Sequence, residues 1–172
     1  PADIETRLEA ARRVFESVDL FVAPSQSVAG EFVRLGIEPS KMHVSDYGFV
    51  PLNGDPPRTA DGPLRIGYVG TPVWHKGVHV LIEAARRLGR NGYELIVFGD
   101  LDVFPDYSSR LRREAADLPV RFAGAFDRDR VADVYAQFDV LVVPSLWLEN
   151  SPLVIHEAFM AGVPVVGARI GG

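Results

Sequence analysis

Two carboxylates stand eight positions apart, Glu149 and Glu157, in the run VVPSLWLENSPLVIHEAFMAGVPVV. The apolar stretch VLVVPS before them reads as a buried strand. The first Glu falls in the loop that follows, and the second about two turns into the next helix. A carboxylate accepts hydrogen bonds from two neighbouring hydroxyls. Two carboxylates flanking a helix N-terminus, whose free N–H groups attract phosphate, suit a ligand that carries diols on both sides of a phosphate. A nucleotide sugar has that layout. The same spacing also suits a solvated first-turn charge followed by a surface helix residue, so the pair alone leaves both readings open.

A second chemistry-bearing place is the loop GTPVWHKG. Gly70 lets the backbone come close to a ligand where a strand ends, and Lys76 stands at the mouth of the following helix as a point charge available to a diphosphate. The loop is not a P-loop, because the order G-x-x-x-x-G-K-[ST] is absent, and no G-x-G-x-x-G occurs. By itself Lys76-Gly77 is equally an exposed loop end. Its position weighs in its favour: two βα loops of one parallel sheet, both expected at the carboxyl edge, each offer a group that suits part of one ligand.

The elements that must carry these loops follow from periodicity. Ile4, Leu8, Ala11 and Phe15 make one helical face. VDLFVAPS then reads as a strand ending at Ser25, a residue able to cap the helix that runs to Gly36, and MHVS is a short strand. YGFVPLNGDPPRTADGP, rich in Pro and Gly, reads as a linker. Beyond it LRIGYVG, YELIVFG, VRFAG, DVLVVPS and VPVVGA are strands. They alternate with the helical runs GVHVLIEAARRLG, YSSRLRREAADL, RDRVADVYAQF and PLVIHEAFMAG. Nearly continuous apolar strands joined by helices predict a doubly wound α/β domain with a parallel sheet covered on both faces. The expected division is 1–50 as the tail of a preceding lobe (a helix plus a βα unit), 51–63 as linker and 64–172 as the ligand-binding domain, truncated.

Composition narrows the class. The 172 residues are 47% hydrophobic, enough to bury a core in one domain or one plus a fragment. A formal charge of −5 without a long Lys/Arg run argues against a nucleic-acid partner. Without cysteine there are no disulfides, thiolate metal sites or Cys nucleophile, which leaves the compartment open and fits a reducing cytosol. No apolar stretch reaches the ~18 residues of a membrane span, and the charged helical start is not a signal peptide.

Taken together, these residues resemble the donor-binding lobe of a retaining glycosyltransferase of the GT-B architecture, close to glycosyltransferase family 4, from about Val18 onward. Glu149 and Glu157 match that family's E-x7-E element, Gly70 to Gly77 its G-x-x-x-x-x-KG loop, and EAFMAGVPVV its EAxxAGxPVV phrase. The resemblance implies a Rossmann-like lobe incomplete at both ends, with a nucleoside diphosphate sugar as substrate and no metal or other cofactor. It implies that Glu157 binds ribose hydroxyls and that Glu149 reaches hydroxyls of the donor hexose. Backbone N–H groups near Asn150, Ser151, Leu153 and Val154 would meet the sugar and phosphates, while Lys76 neutralises the departing diphosphate. Gly70 and Thr71 complete the donor-binding set, and Lys76 with Glu149 are the catalytic candidates. The acceptor, whether glycan, lipid or small molecule, would be held by an N-terminal lobe outside this chain, which alone is expected to be inactive. The location implied is cytoplasmic, or peripheral at a membrane in a longer protein.

One position departs from the family pattern: many members carry Arg directly after the loop glycine, and here it is Thr71. A non-catalytic nucleotide-sugar-binding lobe and a GT-B-like nucleotide-sugar epimerase are the alternatives, with a flavodoxin-like interaction domain as the plainest one. Asp100-Leu101-Asp102 and Asp127-Arg128-Asp129 match a D-x-D pattern, but such triplets are common, and the resemblance implies metal-independent transfer. His43, His75, His79 and His156 show no ligand spacing. Trp74 and Trp147 fall in the two candidate loops, where walling a pocket and plain packing are both open.

Overall fold

The computed structural model describes residues 2–51 and 62–171, so most of the expected linker, 52–61, lies outside the described residues. The chain divides into two compact units. One runs to Gly48 and takes in Glu149–Ser151 and Gly171; the other comprises Phe49–Leu148 and Pro152–Ile170.

The first unit opens with α1 (Ala2–Glu16), β1 (Phe21–Ala23), α2 (Gln26–Arg34) and β2 (Met42–Val44). Strands β1 and β2 pair in parallel, Phe21 opposite Met42 and Ala23 opposite Val44. Ser25 caps α2 as its type predicts, its Oγ accepting the Val28 N–H at 3.3 Å. The apolar face expected on α1 is covered only near its C-terminal end. Phe15 meets the edges of Phe21 and Phe32, whereas Ile4 is 63% exposed.

The second unit is the doubly wound domain. Its elements alternate as β3 (Leu64–Val69), α3 (Val78–Leu88), β4 (Tyr93–Phe98), α4 (Pro105–Glu114), β5 (Val120–Gly124), α5 (Val131–Tyr135), β6 (Val140–Val143), α6 (Leu153–Met160) and β7 (Val165–Gly167). The sheet order is β5-β4-β3-β6-β7 and every pairing is parallel, so the strand order reverses direction between β3 and β6. That is the switch point at which ligands of open α/β sheets bind. RDRVADVYAQF is a single helical run by sequence. Here a 3-10 turn over Arg128–Arg130 leads into a five-residue α5, the Arg130 N–H bonding back only to the Asp127 carbonyl.

Alternation along the strands builds two cores. Ile66, Tyr68, Leu95 and Val97 face Leu81, Ile82, Ala85 and Leu111 of α3 and α4. Val69, Ile96, Phe98 and Leu141 face Val134, Tyr135 and Ala158 of α5 and α6, with Phe138 and Val163. Both faces of β4 are therefore buried, which is why it reads as an unbroken apolar run. Gly67 is part of the second core: a Cβ there would lie 2.4 Å from the Phe138 ring. β3 and β6 are also clamped at their N-terminal ends. Asp139 accepts from the Arg65 backbone N–H at 2.8 Å, from Nε at 3.1 Å and from Nη2 at 2.7 Å. The bidentate carboxylate holds the guanidinium pKa above its ordinary value. Among the described residues no helix is long and apolar enough to cross a membrane.

Candidate functional site

The carboxyl edges of β3 and β6 carry the two loops singled out by sequence, and the loops touch. After β3 the chain passes Gly70 and the exposed Thr71 into a 3-10 turn, Trp74–Lys76, and Gly77 caps α3. Gly77 has φ +74°, and a Cβ on it would lie 2.1 Å from the Pro144 carbonyl oxygen in the loop after β6. Only glycine meets both conditions: a left-handed backbone and a carbonyl where a side chain would be. The Leu146 N–H donates to the His75 carbonyl at 2.8 Å across the same junction. Lys76 is thereby delivered to the switch point, half-buried, with its Nζ 5.3 Å from the centroid of the Trp147 ring.

The loop after β6 ends at Pro152, the N-cap of α6, whose carbonyl accepts the Ile155 N–H at 3.0 Å. The N–H groups of Leu153 and Val154 open the helix, where the first turn has no partner for them within the helix itself, and the helix dipole adds partial positive charge there. Pro152 stands outside the helix as its N-cap, so α6 begins one residue later than the sequence suggests. Glu157 is its fifth residue, little more than one turn in rather than about two.

Glu157 is half-buried and faces inward. Its Oε2 accepts the Tyr135 hydroxyl at 2.9 Å, and the same hydroxyl lies 3.1 Å from the Val154 carbonyl. Tyr135 has no exposed surface. Burial, with the charge and hydrogen bond of Glu157 added, pushes its ionisation far above the ordinary tyrosine range, so it is a permanent donor. Sequence reasoning missed Tyr135, which sits in an amphipathic pattern like any core aromatic.

Glu149, Asn150 and Ser151 belong to the first unit. The reading of Glu149 as a solvated first-turn charge is excluded there: it is 7% exposed, lies outside any helix, and forms a parallel bridge with Gly171. The Asn150 carbonyl accepts the Ser25 hydroxyl at 2.6 Å, and the Ser151 hydroxyl donates to Asp46 at 3.0 Å. The second unit thus brings Gly70, Thr71, Lys76, Leu153, Val154 and Glu157 to one sheet edge, while Glu149, Asn150 and Ser151 are fixed within the first.

Two further features complete the edge. A cleft of about 290 Å³ lies beyond β4 and β5, lined by Phe98, Phe126, Asp127, Arg130 and Val134 among others, next in sequence to Tyr135. Aromatic walls with charged groups at the rim suit a planar heterocycle. Asp100 uses its carboxylate to accept the Asp102 N–H at 2.9 Å, a local turn. Among the described residues no three His, Cys, Asp or Glu side chains gather as a metal-binding group.

Comparison with known proteins supplies the remaining finding. The family model described as Glycosyl transferases group 1 matches residues 63–172. A D-inositol 3-phosphate glycosyltransferase of Catenulispora acidiphila is 32% identical, the match covering 96% of this chain and 44% of that protein. The crystal structure of Anabaena Alr3699/HepE in complex with UDP superposes with a TM-score of 0.82 at 26% identity, over 97% of this chain and 50% of that one. Sucrose-phosphate synthase from Thermosynechococcus elongatus gives a TM-score of 0.75 at 26% identity, over 98% and 45%. The chain spans less than half the length of the curated relatives it matches.

Proposed function

Because the chain belongs to the group 1 glycosyl transferases, we propose that it forms the donor side of a retaining glycosyltransferase close to family 4. In this reading it holds a nucleoside diphosphate sugar while a glycosyl group passes to an acceptor hydroxyl. The acceptor, a glycan, lipid or small molecule, is held by an N-terminal lobe outside this chain. As the glycosidic bond breaks, its electron pair leaves with the diphosphate. Lys76 and the α6 amides of Leu153 and Val154 stabilise that charge, so transfer needs no metal and no protein nucleophile. Glu157, pre-set by Tyr135, takes the ribose hydroxyls, and the cleft beside Phe126 takes the base. Glu149 reaches the donor sugar. A cytoplasmic location, with any membrane contact peripheral, belongs to the same reading.

The observation that carries the proposal is the junction of the two loops at the switch point: Lys76 after β3 and the opening of α6 after β6, joined through Gly77, Pro144, His75 and Leu146. UDP and UDP-glucose are the first ligands to try, since solved complexes of the Anabaena protein hold them. Calorimetry on Glu157→Gln and Glu149→Gln is the test. Glu157→Gln should weaken UDP itself by roughly 1.5–3 kcal/mol, the worth of a charged acceptor, whereas Glu149→Gln should mainly weaken the sugar-bearing form. Native affinity for both ligands in both variants would sink the assignment. Thr71, in the place of a second phosphate-binding cation, favours a non-catalytic binding lobe or an epimerase as the second reading. Release of free sugar or transfer by a longer protein containing this chain, measured with a labelled donor, separates them.

A further inference from the structure

The ammonium of Lys76 lies over an indole ring. Trp147 stands in the loop after β6, and its ring centroid is 5.3 Å from Lys76 Nζ. The His75 imidazole packs on the same indole, with centroids 4.4 Å apart and planes at 44°, and Trp74 meets His75 edge-on at 5.3 Å. The indole is 46% exposed, so core burial alone does not account for its place. Its neighbours in the chain do: the Leu146 N–H is bonded to the His75 carbonyl, and Pro144 abuts Gly77, so the ring can only swing about a backbone that is itself tied to the lysine loop.

We propose that Trp147 is a positioning residue for Lys76, orienting its ammonium toward the switch point before a diphosphate arrives. The inference rests on the reading in which Lys76 meets that diphosphate. A lysine has a flexible four-carbon stem whose freedom is lost when it engages a ligand, and a contact already made within the protein removes part of that loss. Tryptophan offers the most favourable ring face for a cation, and a ring, unlike a carboxylate, takes no charge away from the ammonium. A carboxylate in the place of the indole would neutralise the positive charge needed for phosphate. An aliphatic residue there would lack that attraction for the ammonium. The loop that leads into α6 and its Leu153 and Val154 amides therefore also aims the lysine.

The test is calorimetry with two probes, UDP and phosphate-free uridine, on Lys76→Ala, Trp147→Leu, Trp147→Phe and the double variant Lys76→Ala/Trp147→Leu. Lys76→Ala should lower UDP affinity tenfold or more and leave uridine unchanged. Trp147→Leu should lower UDP affinity about two- to fivefold, Trp147→Phe should restore part of that loss, and neither should change uridine. The double variant should bind UDP no more weakly than Lys76→Ala alone, because the indole acts only through the lysine. Native UDP affinity in Trp147→Leu, with Lys76→Ala impaired, overturns the role of Trp147 and leaves that of Lys76 standing. Native affinity in Lys76→Ala overturns the reading on which the inference rests. Additive losses, or weakened uridine binding in the tryptophan variants, mean that the indole touches ligand or supports the fold, and overturn the proposal. Should Trp147→Leu fail to fold, a native-like Trp147→Phe with unchanged UDP affinity and melting temperature overturns it equally.

Discussion

Tyr135 and Glu157, 22 residues apart, share a hydrogen bond of 2.9 Å that holds a carboxylate on α6 from a tyrosine with no exposed surface. The tyrosine is packed into the core by Phe138 and Val134, so its hydroxyl cannot follow the carboxylate if the latter moves. Tyr135→Phe keeps the ring and removes the donor. The fold should lose about 1.5–3 kcal/mol, the worth of a hydrogen bond to a charged group, while UDP affinity should fall as Glu157 loses its orientation. Urea unfolding and calorimetry on the same preparation measure the two effects. Unchanged affinity would show that Glu157 needs no support.

The same pair predicts behaviour at high pH. Tyr135 has its folded ionisation raised by burial first and by Glu157 second, whereas in the unfolded chain it ionises near ~10. A group with a raised folded pKa gives stability that is complete below the unfolded value and is lost as pH rises above it. Stability should therefore fall above about pH 10. Tyr135→Phe should make that fall shallower by one proton, about 1.4 kcal/mol per pH unit. Burial also raises Tyr93 and Tyr107, so the slope should diminish without vanishing. Urea titrations of both proteins across pH 9–11 provide the check.

Gly77→Ala should be far more costly than an exposed-looking loop position suggests. The added Cβ meets the Pro144 carbonyl at 2.1 Å, and φ is +74°. Strain and overlap together predict a loss of about 2–4 kcal/mol, with the junction between the two loops opened. Chemical denaturation reads the stability, and tryptophan fluorescence from Trp74 and Trp147 reads the junction. A variant as stable as the parent, with unaltered fluorescence, would contradict the close approach described above.

Much of this architecture was legible from local pattern. β4 is buried on both faces and reads as an unbroken apolar run, while Ser25 sits where a helix cap demands its type. Lys76 and Glu157 stand out as candidates because each lies within a few residues of a recognisable strand end or helix start. Tyr135 does not stand out, because a tyrosine on the apolar side of a short helix looks the same whether its hydroxyl meets only a carbonyl or also a carboxylate. Nor did local pattern reveal the place of Asn150, whose carbonyl is held by Ser25 from 125 residues away, or the stacking of Phe49 on His156 at 4.4 Å. Periodicity reports which face of an element is apolar. It carries no information on which distant partner completes a polar group.

The charge inventory of the second unit predicts how a diphosphate should bind. Lys76 and the opening of α6 supply positive charge, among the described residues no three His, Cys, Asp or Glu side chains gather as a metal-binding group, and Asp100 accepts the Asp102 N–H in a local turn. UDP should therefore stabilise the protein equally in EDTA and in magnesium. At a hundredfold excess over Kd the stabilisation should be about 2.7 kcal/mol, which for a domain of this size is a melting shift of several degrees. Uridine alone should give a much smaller shift, since it reaches neither Lys76 nor the α6 amides. Thermal unfolding with each ligand, in each buffer, decides the matter. A shift that appears only with magnesium would move the phosphate site away from Lys76 and toward the acidic loops.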